Sequence, residues 1–360
     1  MTAIALPRWS LAVPPLSVLI LAFGWGRAEL GPVLLPLVCL GLGAAVVAAV
    51  HHAEVVAHRV GEPFGTLILA IAVTVIEVAL IVTLMTSGGD KAATLARDTV
   101  FAAIMITCNG IVGLALLVGS LRHRVQEFRA HASGGAFAVV LALVTLSLVL
   151  PTFTTSSQGP TFSGAQLAFA GVASLVMYAV FVFVQTLRHR DYFLPKVDTT
   201  PDDHAEAPST RTALTSLGLL LVCLIAVVGL AKTVSPTLES AVAAAGAPLS
   251  LVGVLIALLV LMPETVAAVR AALRNRLQVS LNLALGSALA SIGLTIPVIA
   301  IASIWLTGPL VLGLGGKELV LLALTGAVGT LTLVSGRATV LQGAVHLMVF
   351  SAFLFLAVTP

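Results

Sequence analysis

Eleven apolar stretches follow one another along the chain, at roughly 10–25, 31–50, 64–86, 99–120, 134–151, 164–187, 212–231, 248–268, 279–305, 318–335 and 339–358. No other feature restricts the fold so tightly. A helix needs about 20 apolar residues to cross the hydrocarbon layer of a bilayer, and inside lipid every backbone N–H and C=O must be paired within the protein. Runs of this length therefore predict an all-α integral membrane protein with about eleven transmembrane helices. Composition agrees: 59% of the 360 residues are hydrophobic and 9% are charged, against about 25% charged in a soluble domain. The first run resembles a signal-peptide core but has no clean A-x-A pattern after it, so it is read as a membrane helix. Pro297 in the ninth and longest run predicts a kink or a split there.

The cations are sorted along the chain. Thirteen of the eighteen Lys and Arg fall on one set of alternate ends and loops, including Arg8, Arg59, Arg122, Arg124, Arg129, Arg188, Arg190, Arg211, Arg270 and Arg337. The other set holds Arg27, Lys91, Arg97, Lys232 and Lys317. The rule that cytoplasmic loops are the basic ones places the N-terminus in the cytoplasm and, with an odd number of spans, the C-terminus outside. The same sorting explains the net charge of +3 without a nucleic-acid partner. Cys39, Cys108 and Cys223 lie within apolar runs and read as small buried side chains, not as a disulfide or metal framework.

The polar segment "RHRDYFLPKVDTTPDDHAEAPSTR", residues 188–211, reads as a cytoplasmic linker. It divides the chain into an N-terminal helix (1–30), five spans (31–187) and five further spans (212–360). Two five-span halves in tandem insert with opposite orientation, because five is odd. That is the inverted-repeat plan of many secondary transporters.

Within this apolar frame, two of the fifteen acidic residues fall inside spans: Glu77 in "AVTVIEVALIV" and Glu264 in "LIALLVLMPETVAAV". Each occupies the second span of its half, so an inverted repeat would bring them close at mid-membrane. A charged residue at the centre of a span costs at least about 2.5–3.5 kcal/mol on insertion scales and usually faces a functional cavity. Burial disfavours the charged form of a carboxylate, and a neighbouring carboxylate disfavours it further. Such a pair holds protons until a cation replaces the lost solvation. Carboxylate oxygen is a hard ligand, and two carboxylates balance a divalent charge. Glu77 and Glu264 are thus expected to be a shared proton and metal-cation site. Their structural alternative is a protonated side chain bonded to a neighbouring helix.

Supporting ligands are sought nearby. Thr74 precedes Glu77 by one turn on the same face. Pro263 has no N–H for the carbonyl of Leu259, so a helix break beside Glu264 is expected. Asn109, Asn282 and Ser287 supply oxygens in the next span of each half; helix-packing hydrogen bonds are the alternative for each. The glycines of "CNGIVG" and "GSALASIG" read as close helix contacts. Glu54, His58 and Glu62, at the cytoplasmic end of the second span and just beyond it, suit a proton relay, an ion-access funnel or a solvated turn. His346 reads as a neutral interhelical hydrogen bond.

"GEPFGTLILAIAVTVIEVALIV", the Asn109 segment, "RHRDYFLP" and "MPETVAAVRAALRNRLQVSLNLALGSALASIGLTIP" together resemble the bacterial ChaA-type calcium/proton and sodium-potassium/proton antiporters. These form part of the cation/proton exchanger branch of the calcium:cation antiporter superfamily. The resemblance implies a bacterial inner-membrane protein with a one-plus-five-plus-five inverted-repeat fold, with Glu77 and Glu264 as the cation and proton carriers. The chain departs from the branch's G-N-x-x-E, carrying "VTVIE" and "VLMPE" instead, so calcium, sodium and potassium all stay open. No resident cofactor is expected. Expected partners are inorganic cations, protons, membrane lipid and, for a homo-oligomer, a second copy of the chain. Intramembrane enzymes are disfavoured, because no G-x-S-G, H-E-x-x-H or G-x-G-D occurs and no phosphate-binding G-x-x-x-x-G-K-[ST] is present. A cation channel with the glutamates as selectivity residues is the rival reading.

Overall fold

A computed structural model of the chain describes residues 6–27, 30–61, 64–87, 93–193, 208–305 and 310–359. Every one of the eleven apolar runs is helical in it. In chain order the helices are α1 (Arg8–Gly24), α2 (Leu34–Val60), α3 (Phe64–Ser87), α4 (Leu95–His123), α5 (Ala130–Phe153), α6 (Gly164–Arg188), α7 (Thr210–Ala244), α8 (Ser250–Val260), α9 (Met262–Leu273), α10 (Leu277–Ala302), α11 (Gly316–Val334) and α12 (Val340–Val358). Among the described residues, eight helices are long and apolar enough to cross a membrane. The bent pair α8–α9 is long and apolar enough only when its two helices are taken together, and α1 and the Ile71–Thr83 part of α3 are shorter apolar helices. One two-residue ladder, β1 (Gln126–Glu127) with β2 (Arg337–Ala338), pairs antiparallel.

The described residues form two compact units. One contains 1–92 and 200–252, the other 93–199 and 253–360. Each draws helices from both sides of the linker. In the first unit α2 packs on α1, α3 and α7. Gly41, Ala45, Ala48 and Ala49, from "GLGAAVVAA", give α2 a buried small-residue face, which lets helices approach where lipid offers no hydrophobic drive for association. His52 Nε2 lies 2.9 Å from the Ser10 carbonyl, and Arg59 donates to Thr210 Oγ1 at 2.8 Å. These bonds bring the basic ends of α1, α2 and α7 to one side of the unit. In the second unit α4 is the most enclosed span. It packs against α12, α9 and α10, and α6 packs against α10.

Four expectations are corrected, the simplest being that Cys39 is exposed and not buried, unlike Cys108 and Cys223. The ninth run does not split: α10 is continuous from Leu277 to Ala302 through Pro297, with Gly171 of α6 packed close to the Pro297 backbone. The longest helix is α7, at 35 residues. Both α2 and α7 overrun their apolar stretches by ten residues or more, because a helix ends at a stop signal and not where hydrophobicity fades. The stops are Gly61 (φ 76°), the C-cap of α2, and Gly246 (φ 69°), two residues beyond α7; both take the left-handed φ that glycine adopts without strain. Finally, Gly286 is no close contact, since a Cβ there would meet nothing within 4 Å.

Candidate functional site

Glu77 lies about midway along α3, in the first unit. Ile71 and Val75 mark the exposed flank of the helix, whereas Thr74, Ile76, Glu77, Leu80 and Ile81 are buried. Glu77 is 3% exposed and Thr74 5%. The helical repeat dictates this: positions 74 and 77 share a face, and 75 points away. A carboxylate and a hydroxyl therefore lie side by side on a buried face of α3.

Glu264 occupies the equivalent midpoint of the α8–α9 pair, in the second unit, but on different backbone. The two helices bend by 50° at Leu261, as Pro263 demands: it is the second residue of α9 and offers no N–H to the preceding turn. The Leu261 carbonyl receives both the backbone N–H (2.9 Å) and the hydroxyl (2.7 Å) of Thr265. Half-buried Glu264 sits in the first turn of α9, where the helix dipole favours negative charge. One carboxylate is thus carried by unbroken helix and the other by a helix start.

The two asparagines are engaged by neighbouring helices. Fully buried Asn109 sits in a π-helical turn of α4, Ile106–Ile111, a distortion that often marks functional positions. Its Nδ2 donates to Thr325 Oγ1 of α11 at 2.9 Å, and Thr325 donates on to the Leu321 carbonyl. Its Oδ1 accepts from His346 Nδ1 of α12 at 3.2 Å, and His346 Nε2 meets Thr332 Oγ1 at 3.1 Å. A neutral imidazole satisfies every partner: Nδ1–H donates to the amide and the Thr332 hydroxyl donates to Nε2. His346 is the interhelical bond its sequence position suggested. Thr325 and Thr332, which sequence reasoning passed over, are seven residues apart and so share a helix face; that spacing was the available signal. Asn109→Ala leaves His346 and Thr325 short of a partner and is expected to lower stability by about 1–3 kcal/mol, read as a drop in apparent Tm of the purified protein, with partial retention of transport.

Asn282 donates to the Phe193 carbonyl at 2.7 Å and accepts from Gln278 Nε2 at 2.8 Å. Gln278 Oε1 takes the Arg129 N–H at 2.7 Å. This chain of bonds ties α10 to the start of α5 and to the turn Arg190–Phe193. Ser287 is half-buried on α10. Glu54 and His58 share an exposed face of α2, while their neighbour His52 is buried. Glu62 and most of the linker lie outside the described residues.

Residues 30–187 and 215–359 match the family described as "Sodium/calcium exchanger protein", and the chain belongs to that family. It is a multi-pass membrane transporter of the cation-exchanger class, not an enzyme. Among its relatives, the Sinorhizobium fredii protein y4hA is 50% identical over 357 residues, covering 98% of this chain and 97% of that one. The sodium-potassium/proton antiporter ChaA of Escherichia coli is 35% identical over 351 residues, covering 96% and 94%. The fold is shared with native YfkE, at a TM-score of 0.74 and 18% identity over 98% of this chain and 99% of that one. It is also shared with the H+/Ca2+ exchanger CAX, at 0.68 and 17% over 97% and 92%.

Proposed function

We propose that this protein is a secondary active cation/proton antiporter of a bacterial inner membrane, exchanging Ca2+ for H+ by alternating access. The observation that carries the reading is Glu77, a 3%-exposed carboxylate midway along an apolar helix. Its counterpart Glu264 holds the same midpoint of the broken pair. Glu77 and Glu264 are the shared proton and cation carriers in this reading. Thr74 and the interrupted backbone at Pro263 are the favoured supporting oxygens, and Ser287 is a further candidate oxygen for which helix packing is the favoured role. Asn109 and Asn282 contribute by fixing helix positions through the bonds above. The inverted-repeat plan, residues 31–187 and 212–360, supports this reading by giving each half one carboxylate in its second span. Glu54, His58 and Glu62 serve as the cytoplasmic approach.

Ion identity rests on charge balance: two carboxylates neutralise one divalent ion. YfkE, in one of its solved structures, and CAX are named for calcium and protons, whereas ChaA is named for sodium, potassium and protons. The deciding experiment is proton flux in proteoliposomes holding a pH gradient, with Ca2+, Na+ and K+ added separately. Calcium-triggered proton release is the expected result. Release with Na+ or K+ alone would keep the exchange mechanism and move the substrate to monovalent ions. Cation conductance without any coupled proton movement would make the protein a channel.

A further inference from the structure

An apolar groove runs along the outer surface of the first unit between α1 and α7. It holds about 620 Å³ and is lined by Val18, Leu21 and Trp25 of α1 and by Leu224, Ile225 and Lys232 of α7. Its floor exists because Gly229 has no side chain: a Cβ there would lie 2.5 Å from Leu21 Cδ2. Ile225 and Trp25 are each more than half exposed, so the groove opens on the belt that faces lipid.

Only one end of the groove is polar, and that end is cationic. Lys232 Nζ lies 5.8 Å from the centroid of the Trp25 ring. Arg27 stands just past the end of α1, its Nε bonded to the Phe23 carbonyl at 2.8 Å. Among the described residues no carboxylate pairs with Lys232 or Arg27. Depth agrees with chemistry. Lys232 is 22 residues beyond Thr210, about 33 Å along α7 at 1.5 Å per residue, and the hydrocarbon layer is about 30 Å thick. With Thr210 held at the basic end of the unit, the Lys232 ammonium reaches the opposite headgroup level, where tryptophans also concentrate.

From the groove and its charge we infer that α1 and α7 form a binding site for an anionic phospholipid. One acyl chain lies over Gly229 between Leu21 and Ile225, and the headgroup phosphate meets Lys232 and Arg27. A soluble anion would have no use for the apolar floor. A zwitterionic lipid would fill the groove but bring a compensating positive charge to the same cations.

Tryptophan quenching tests this, because Trp25 lines the groove. With Trp9 and Trp305 replaced by Phe, Trp25 is the sole reporter. In vesicles of phosphatidylethanolamine, chain-brominated phosphatidylglycerol should quench it with about fivefold preference over chain-brominated phosphatidylethanolamine, roughly the worth of one basic side chain at an anionic surface. Lys232→Gln together with Arg27→Gln in this background should bring the ratio close to one. A variant retaining only Trp305 should show no preference. Equal quenching by the two lipids at Trp25 would overturn the proposal. So would protection of Trp25 from both lipids, which would mean that protein, such as a second copy of the chain, covers the groove. Neither result depends on which cation is transported.

Discussion

Glu77→Gln and Glu264→Gln are each expected to reduce cation-coupled proton flux in proteoliposomes by on the order of a hundredfold or more, with the protein still inserted and folded. Gln nearly reproduces the shape of Glu but can neither release a proton nor neutralise a cation. Truncating one partner of a desolvated charge contact costs a bound ligand about 2–5 kcal/mol, and each 1.4 kcal/mol is a factor of ten in affinity. The two positions also make the test internally controlled. Glu77 is held by continuous helix in one compact unit and Glu264 by a helix start in the other, so a shared local folding defect cannot account for loss in both. Full coupled transport by either mutant would refute the shared-carrier mechanism. Loss in both, with unchanged elution and apparent Tm, would support it.

Gly343→Ala is expected to lower the stability of the protein by about 1–3 kcal/mol, the usual cost of overpacking, and by more if α12 must separate from α4. A Cβ at Gly343 would lie 2.5 Å from the Leu117 amide nitrogen and 2.7 Å from its Cα. Backbone cannot swing aside as a side-chain tip can. The same contact holds α12 at the distance at which His346 reaches Asn109, so the effect should extend to that network. Gly134→Ala on α5 is the matched control: nothing lies within 4 Å of its Cβ position, and the added methyl should be neutral or slightly stabilising. Thermal unfolding in one detergent compares the two. An unchanged apparent Tm for Gly343→Ala would show that α4 and α12 part without penalty.

Much of this protein is set by its sequence alone, because the bilayer acts on each segment separately. A run of apolar residues must form a helix to satisfy its own backbone, whatever lies beside it. The all-helical membrane class follows, as does the break at Pro263 beside a carboxylate. Glu77 and Glu264 were legible for the same reason: an ionisable residue in an apolar run is conspicuous without knowledge of its neighbours. The family resemblance rested on the same segments.

Tertiary structure decided whatever depends on partners remote in the chain. Asn109 and Asn282 looked alike as mid-span amides, yet one bonds Thr325 and His346, more than 200 residues away, and the other bonds the carbonyl of Phe193. Gly343 and Gly286 are both glycines in apolar helices, but only Gly343 has a backbone pressed against it. A kink or a split was expected at Pro297; α10 does not split there, and Gly171 packs close to the Pro297 backbone. The grouping of α7 with α1, α2 and α3 across the linker is of the same kind. Hydrophobic length is a local property that a sequence displays directly. Which faces meet is settled by close packing among helices far apart in the chain, and no single stretch of sequence contains that information.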